Sequence, residues 1–153
     1  MAYDQLKLEN QLCFPFYAAS RLITREYQPY LDKLGITYPQ YLVLLILWEA
    51  DGVTVNDISS KLILNTNTVT PLLKRMEKQG LITRKRSGND ERKVIVNLTS
   101  SANKMKRSAA SIPEKLATGI FSGEMTVDDL LKLKVHLNSI IGYLTRKDRT
   151  IIV

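Results

Sequence analysis

The stretch that decides the fold is residues 54–98, TVNDISSKLILNTNTVTPLLKRMEKQGLITRKRSGNDERKVIVNL. Thr54 has Asp57 three residues later, a helix-capping pattern, and the helix that it opens would bury Val55, Ile58 and Leu62. A second helix begins in the polar run 65–68 and extends to Gln79. Its apolar side chains recur at spacings of three and four residues, at Val69, Leu72, Leu73 and Met76. Gly80 is placed to end that helix.

Two short runs rich in β-branched residues, 81–86 and 93–98, follow the second helix. They flank the turn Ser87-Gly88-Asn89-Asp90, and this arrangement predicts a β-hairpin. Upstream, Thr37 with Gln40 and a proline in the first turn predict a buried helix that Asp51-Gly52 ends. The order of helix, short helix, turn, polar-tipped helix and hairpin predicts a winged helix-turn-helix over residues 36–99.

The flanking regions, 5–34 and 100–146, predict further helices with wide apolar stripes. Thr99 and Thr126 are placed as N-caps, and Pro113 is expected to bend or break the helix that follows Thr99. The stripes comprise Leu12, Phe16, Ala19, Leu22, Ile23, Tyr27 and Leu31, and Leu130, Leu131, Leu137, Ile140, Ile141 and Leu144. Because they lie outside the winged unit, we expect them to pair with a second chain as dimerisation helices. The fold class is mainly α with a small β-hairpin wing (α+β), in a single domain over 1–153.

The net charge of +7 is concentrated in the middle of the chain. Residues 61–107 hold twelve basic and three acidic side chains, whereas the other 106 residues hold ten basic and twelve acidic ones. A basic block on a winged helix-turn-helix is typical of a protein that binds double-stranded DNA.

The residues expected to contact DNA lie on the polar-tipped helix and on the hairpin. The helix start carries small hydrogen-bonding side chains suited to the major groove, and Lys74 and Arg75 are suited to phosphates. Arg92 is near the tip of the hairpin, where it would reach an adjacent minor groove, and Asp90 either orients it or only forms the turn. The full set is Asn65, Thr66, Asn67, Thr68, Thr70, Lys74, Arg75, Arg84, Arg86, Asp90 and Arg92.

Several classes of protein are excluded by composition. A single cysteine and a single histidine provide neither an intrachain disulfide nor a zinc cluster. The longest apolar run, 41–48, is too short to span a membrane, and no export signal is visible, so a cytoplasmic protein is expected. We find no Gly-rich phosphate loop or nucleophile elbow, so we expect no enzyme activity and no cofactor or metal.

The wing segment NDERKVIVNLT at 89–99 resembles the signature of MarR-type transcriptional regulators, an Asp-x-Arg followed by a strand and Leu-Thr. The segments LENQLCF at 8–14, ITYPQY at 36–41 and TVTPLLKRME at 68–77 are similar to the OhrR-type branch, which senses organic hydroperoxides. This resemblance covers nearly the whole chain. It implies a homodimeric repressor that releases a pseudo-palindromic operator when Cys13 is oxidised by an organic hydroperoxide or another oxidant.

In that branch the sensing cysteine interacts with tyrosine hydroxyls, which implies roles for Tyr17, Tyr27 and Tyr38. Pro15 departs from the family pattern, since proline is unfavourable inside a helix. If the helix begins near Phe14 or Pro15, the proline is tolerated and Cys13 lies at a helix N-terminus, which would favour its thiolate. Without a second cysteine, oxidised Cys13 would react with a small thiol, a backbone amide or another subunit.

Three alternatives remain at this point. The first is a related regulator relieved by a small aromatic ligand, with Cys13 incidental. The second is a basic architectural protein that binds DNA without responding to oxidants. The third is a thiol peroxidase, for which the chain offers no base near Cys13, because His136 is distant in sequence.

Overall fold

The computed structural model describes residues 3–120 and 125–150. The chain divides into two compact units, one ending at Leu116 and the other beginning at Ala117. Two short 3-10 turns, Asp4–Leu6 and Leu8–Asn10, precede the regular elements. These are α1 (Phe14–Asp32), α2 (Tyr38–Glu49), β1 (Val53–Thr54), α3 (Val55–Leu62), α4 (Thr66–Lys78), β2 (Ile82–Arg86), β3 (Val94–Leu98), α5 (Ser100–Ala109), α6 (Ile112–Ile120) and α7 (Val127–Thr150).

The mainly helical fold with a small wing is confirmed, but the sheet has three strands rather than two. β3 is central and pairs antiparallel with β2 on one side and with β1 on the other. The hairpin register places Arg84 opposite Val96 and Arg86 opposite Val94. β1 was not predicted, because two residues directly before a helix cap are too few to show the alternation of a strand.

The capping patterns read from the sequence start the helices that they predicted. The Thr54 hydroxyl accepts the Asp57 backbone N–H at 3.1 Å and donates to its carboxylate at 2.7 Å. The hydrogen bonds that the Asp57 carboxylate accepts from the Thr54 hydroxyl and from the Thr54 backbone N–H, the latter at 3.0 Å, lower the pKa of Asp57. Thr126 and Asp129 repeat the arrangement at the start of α7, and the Thr99 hydroxyl caps α5.

Two helix boundaries follow from prolines. α1 begins at Phe14 with Pro15 in its first turn, so Leu12 lies before the helix rather than on its stripe. That prediction for Leu12 was wrong, because proline is tolerated only where no N–H is needed. The expected break near Pro113 is confirmed, since α5 ends at Ala109 and Pro113 lies in the first turn of α6.

The core of the first unit is formed where α2, α3 and α4 pack together. Leu44, Ile58 and Leu73 are each fully buried. The buried face of α4 is the predicted one, Val69, Leu72, Leu73 and Met76. Its opposite face is therefore free to carry polar residues outward.

The turn between α3 and α4 is made by Ile63, whose φ of +56° is in the left-handed region. A β-branched residue is unfavourable there, and nothing in the local sequence predicts it. The turn is fixed by a hydrogen bond from the Leu64 N–H to the Ser59 carbonyl at 3.0 Å.

Ser59 provides a first testable prediction. It is 5% exposed, and its hydroxyl has no hydrogen-bond partner among the described residues. An unpaired buried hydroxyl is unfavourable, so Ser59→Ala should raise the free energy of unfolding by about 1 kcal/mol in urea titration. Ser60→Ala makes the same substitution at the exposed neighbouring position, so it measures the change in unfolding free energy that comes from helix propensity alone. A larger gain for Ser60→Ala would contradict this assignment.

No helix within residues 3–120 and 125–150 is both long enough and apolar enough to cross a membrane.

Candidate nucleic-acid interface and cysteine site

The start of α4 presents the predicted polar residues to solvent. Asn65 is the N-cap residue but its side chain makes no capping hydrogen bond, and Thr66, Asn67 and Thr68 are exposed. Helix capping therefore does not explain why polar side chains are grouped at this end of α4. Thr70 is half-buried, and Lys74 and Arg75 are exposed further along the helix. Since Thr66, Thr70 and Lys74 are four residues apart, they share one face of α4.

The wing presents its cations around a tight turn. The Ser87 N–H donates to the Lys93 carbonyl at 2.8 Å, and the Arg92 backbone N–H donates to the Asp90 carboxylate at 3.1 Å. The Asp90 carboxylate also lies 3.8 Å from the Lys93 ammonium. Asp90 thus has the turn-forming role considered above. The Arg92 side chain is exposed at the tip, and Arg86 is exposed on β2.

An open groove of about 240 Å³ separates the helices from the wing. Thr66 and Thr70 of α4 form one side, and Arg84, Arg92 and Lys93 form the other. The N-terminal turn of α3 completes it with Thr54, Val55 and Asn56. Asn56 was not among the predicted residues, because its place at the groove depends on how α3 packs.

Arg84 differs from the other predicted cationic contacts because its guanidinium has a described hydrogen-bond partner within the protein. Its guanidinium donates to Oε2 of Glu77 from Nε at 3.0 Å and from Nη2 at 2.7 Å. Its backbone N–H donates to Oε1 of the same carboxylate at 3.1 Å. The hydrogen bonds from Arg84 lower the pKa of Glu77. Glu77 was not among the predicted residues, because its partner is seven residues away across a turn.

Cys13 is a free, exposed thiol directly before α1. This confirms that the helix begins at Phe14 and that Cys13 lies at its N-terminus. Tyr17, one turn later, donates its backbone N–H to the Cys13 carbonyl at 3.2 Å. The Tyr17 ring lies under the Arg21 guanidinium, 5.7 Å from it.

The other two predicted tyrosines lie in a separate aromatic cluster. The ring centroids of Tyr27 and Tyr38 are 4.9 Å apart, and Tyr41, which was not predicted, is 5.8 Å from Tyr27. Burial raises the pKa values of Tyr38 and Tyr41. Fourteen residues separate Cys13 from Tyr27, which is about 20 Å along a helix. Within one chain, therefore, Cys13 does not meet Tyr27 or Tyr38.

Comparison with known proteins places the chain in a family. Residues 25–108 match the family described as transcriptional regulator SarA/Rot. The chain is 49% identical to the organic hydroperoxide resistance transcriptional regulator of Bacillus subtilis, over 95% of its own length and 97% of that protein. The chain is a MarR-type regulator of the SarA/Rot family.

Two solved structures of MarR-type regulators agree with this assignment. Reduced AbfR bound to DNA has a TM-score of 0.77 at 34% identity, covering 95% of this chain and 98% of that one. AbfR, from Staphylococcus epidermidis, is also known overoxidized on DNA and with a disulfide formed. The DNA complex of Staphylococcus aureus MepR has a TM-score of 0.78 at 26% identity, covering 88% of this chain and 98% of that one.

This MarR-type regulator is thus a DNA-binding transcriptional regulator, and its relatives are regulators rather than enzymes. The comparisons support the winged-helix family and transcription regulation, together with a link to the oxidative-stress response. The individual residues proposed to contact DNA or to sense oxidants stay predictions.

Proposed function

We propose that the chain is a homodimeric repressor that binds a pseudo-palindromic operator and releases it when Cys13 is oxidised by an organic hydroperoxide. The observation that carries this proposal is the exposed thiol of Cys13 at the start of α1, in a chain half identical to a hydroperoxide-resistance regulator.

The DNA-binding part rests on the surface formed by α4 and the wing. Exposed amide and hydroxyl groups at the start of α4 are suited to base edges, and the cations beside them to phosphates. Arg92 extends from the wing where a neighbouring minor groove would lie. AbfR and MepR, both solved on DNA, have the same fold.

The dimer is supported by apolar side chains that a single chain leaves exposed. On α1 these include Phe16, Leu22 and Ile23, and α7 exposes Leu131, Leu133, Val135, Ile140, Ile141, Tyr143 and Leu144. Apolar surface on this scale is typical of an interface. The contact of Cys13 with Tyr27 and Tyr38 that the family resemblance implies would then have to come from the partner chain, since these residues do not meet within one chain.

The redox step proceeds at the Cys13 sulfur. The thiolate attacks the terminal oxygen of the hydroperoxide, so that an S–O bond forms and the O–O bond breaks. The leaving alkoxide takes up the proton that the thiol has lost and departs as the alcohol. The cysteine becomes a sulfenic acid and the peroxide is reduced. A small cellular thiol can then condense with the sulfenic acid, giving a mixed disulfide and water. Either product changes the size and hydrogen bonding of the Cys13 side chain. It thereby changes the spacing of the two α4 helices in the dimer.

Cys13→Ser tests the sensor. We expect cumene hydroperoxide to weaken binding of the wild type to a duplex from upstream of its own gene by roughly 5- to 150-fold, and dithiothreitol to restore it. Cys13→Ser should bind as tightly as the reduced wild type and show no response. Fluorescence anisotropy at fixed salt measures both. Release of Cys13→Ser by the peroxide would refute the sensor role.

A second candidate is a regulator relieved by a small aromatic ligand. It is favoured by a largely apolar pocket of about 290 Å³ in the first unit, whose lining also includes two charged residues. The pocket is lined by Tyr41, Leu45, Trp48 and Glu49 of α2 and by Lys106, Ala109, Ala110 and Pro113. Wild-type binding that survives peroxide but weakens with an aromatic carboxylate such as salicylate would support this candidate instead.

A further inference from the structure

One carboxylate joins α4 to β2, the first strand of the wing. Glu77 lies in the last turns of α4, and its two oxygens accept three hydrogen bonds from Arg84 on β2. Two of these bonds come from the guanidinium and one from the Arg84 backbone N–H, so both the Arg84 side chain and strand β2 are attached to α4. We refer to this pair, Glu77 and Arg84, as the helix–wing clamp.

The clamp is better shielded than the other ion pairs of the described residues. The side chains of Arg84 and Glu77 are 20% and 37% exposed, whereas both partners of every other described pair are at least 40% exposed. Two guanidinium N–H groups donate to the same oxygen, Oε2 of Glu77, while the Arg84 backbone N–H donates to Oε1, and together these bonds fix the direction of the guanidinium as a single contact would not. Arg84 is therefore committed to Glu77 in the free protein.

The base of the wing is held by the pairing of β3 with β1 and by the buried Ile82 and Val96. Among the described residues, the side-chain hydrogen bonds that join β2 to α4 are those of the clamp. Beyond Arg84, β2 continues only to Arg86 before the turn that carries Arg92, and that turn contacts its own hairpin. The wing must meet DNA at a fixed distance from α4, since the two elements reach adjacent grooves.

We propose that Glu77 and Arg84 are positioning residues, which hold the wing at the angle to α4 that operator binding requires, and that Arg84 acts through Glu77 rather than by contacting DNA. This inference rests on the DNA binding in the proposed function and is independent of the oxidant response. It assigns a role in DNA binding to an acidic residue on a basic surface.

Glu77→Gln tests the proposal by the sign of its effect. Removing a negative charge near DNA strengthens binding if only long-range electrostatics act. Positioning predicts the opposite: a loss of affinity of about threefold or more for the upstream duplex. Glu91→Gln is the matched control, because Glu91 is an exposed acid in the turn of the same wing. It should bind at least as tightly as the wild type.

Arg84→Gln separates positioning from direct contact by the salt dependence of binding. A residue that neutralises a phosphate changes the slope of log K against log salt by about 0.9 when it is removed. Arg84→Gln should weaken binding with an unchanged slope, whereas Lys74→Gln should reduce the slope. Thermal unfolding confirms that each variant is folded at the assay temperature.

Unchanged or tighter binding by Glu77→Gln, or a reduced slope for Arg84→Gln, would overturn the clamp as a positioning device while leaving the proposed function intact. Failure of the wild type to bind the duplex at any salt concentration would overturn the proposed function and this inference together.

Discussion

Leu73→Ala should reduce the free energy of unfolding by about 2–5 kcal/mol. Leu73 lies on α4 and is fully buried, at the place where α2, α3 and α4 meet. Its truncation removes apolar contacts and leaves a cavity. The surrounding helices α2, α3 and α4 are held by their other contacts, so they cannot move in to fill it. Urea titration followed by circular dichroism measures the change. Because α4 also carries the proposed DNA-binding face, the variant should lose DNA affinity as its fold weakens.

The adjacent position provides the control for this prediction. Lys74→Ala, one residue further on the exposed face, should change the free energy of unfolding by less than about 0.5 kcal/mol. If Leu73→Ala unfolded with the same midpoint as Lys74→Ala, the packing described for α4 would be wrong.

Arg92→Ala should have the largest effect on DNA binding among the wing residues, roughly a 5- to 150-fold loss of affinity. The turn around Asp90 holds the backbone of Arg92, so its exposed side chain extends from a fixed point. A guanidinium placed in a narrow minor groove gains both charge and shape complementarity. Anisotropy titrations at one salt concentration give the loss, and a salt series gives the number of phosphates involved.

Lys85→Ala removes the same charge from the same wing. Lys85 is exposed on β2 and alternates with Arg84 and Arg86, so it lies on the other face of the strand. We expect a much smaller loss for this variant. Equal losses for Arg92→Ala and Lys85→Ala would mean that the wing contributes only net charge and has no specific contact at its tip.

The sequence predicted those parts of the fold that depend on neighbouring residues. Caps at Thr54, Thr99 and Thr126 act over three residues, and each begins a helix where expected. Proline acts in the same local way, so the start of α1 and the break before α6 follow from Pro15 and Pro113.

Features that depend on packing were not accessible from the sequence. β1 exists because β3 lies beside it, and the left-handed Ile63 is held by the packing of the helices on either side of it. Glu77 appeared as one more polar residue on α4, since only the folded hairpin brings Arg84 to it. The separation of Cys13 from the Tyr27–Tyr38 cluster follows from the unbroken helix α1 between Cys13 and Tyr27, whereas the resemblance had implied only that these residues interact.

The position of β2 in the sheet has a consequence for solubility. β2 is an outer strand, and a free strand edge is a template on which another chain can aggregate. Here Glu77 occupies the Arg84 N–H and pairs with its guanidinium, and the exposed cations Lys85 and Arg86 repel an incoming strand of like charge. High salt, which frees such a protein from nucleic acid during purification, also screens this repulsion. The positive charge that suits the wing to nucleic acid therefore also keeps the protein molecules apart from one another.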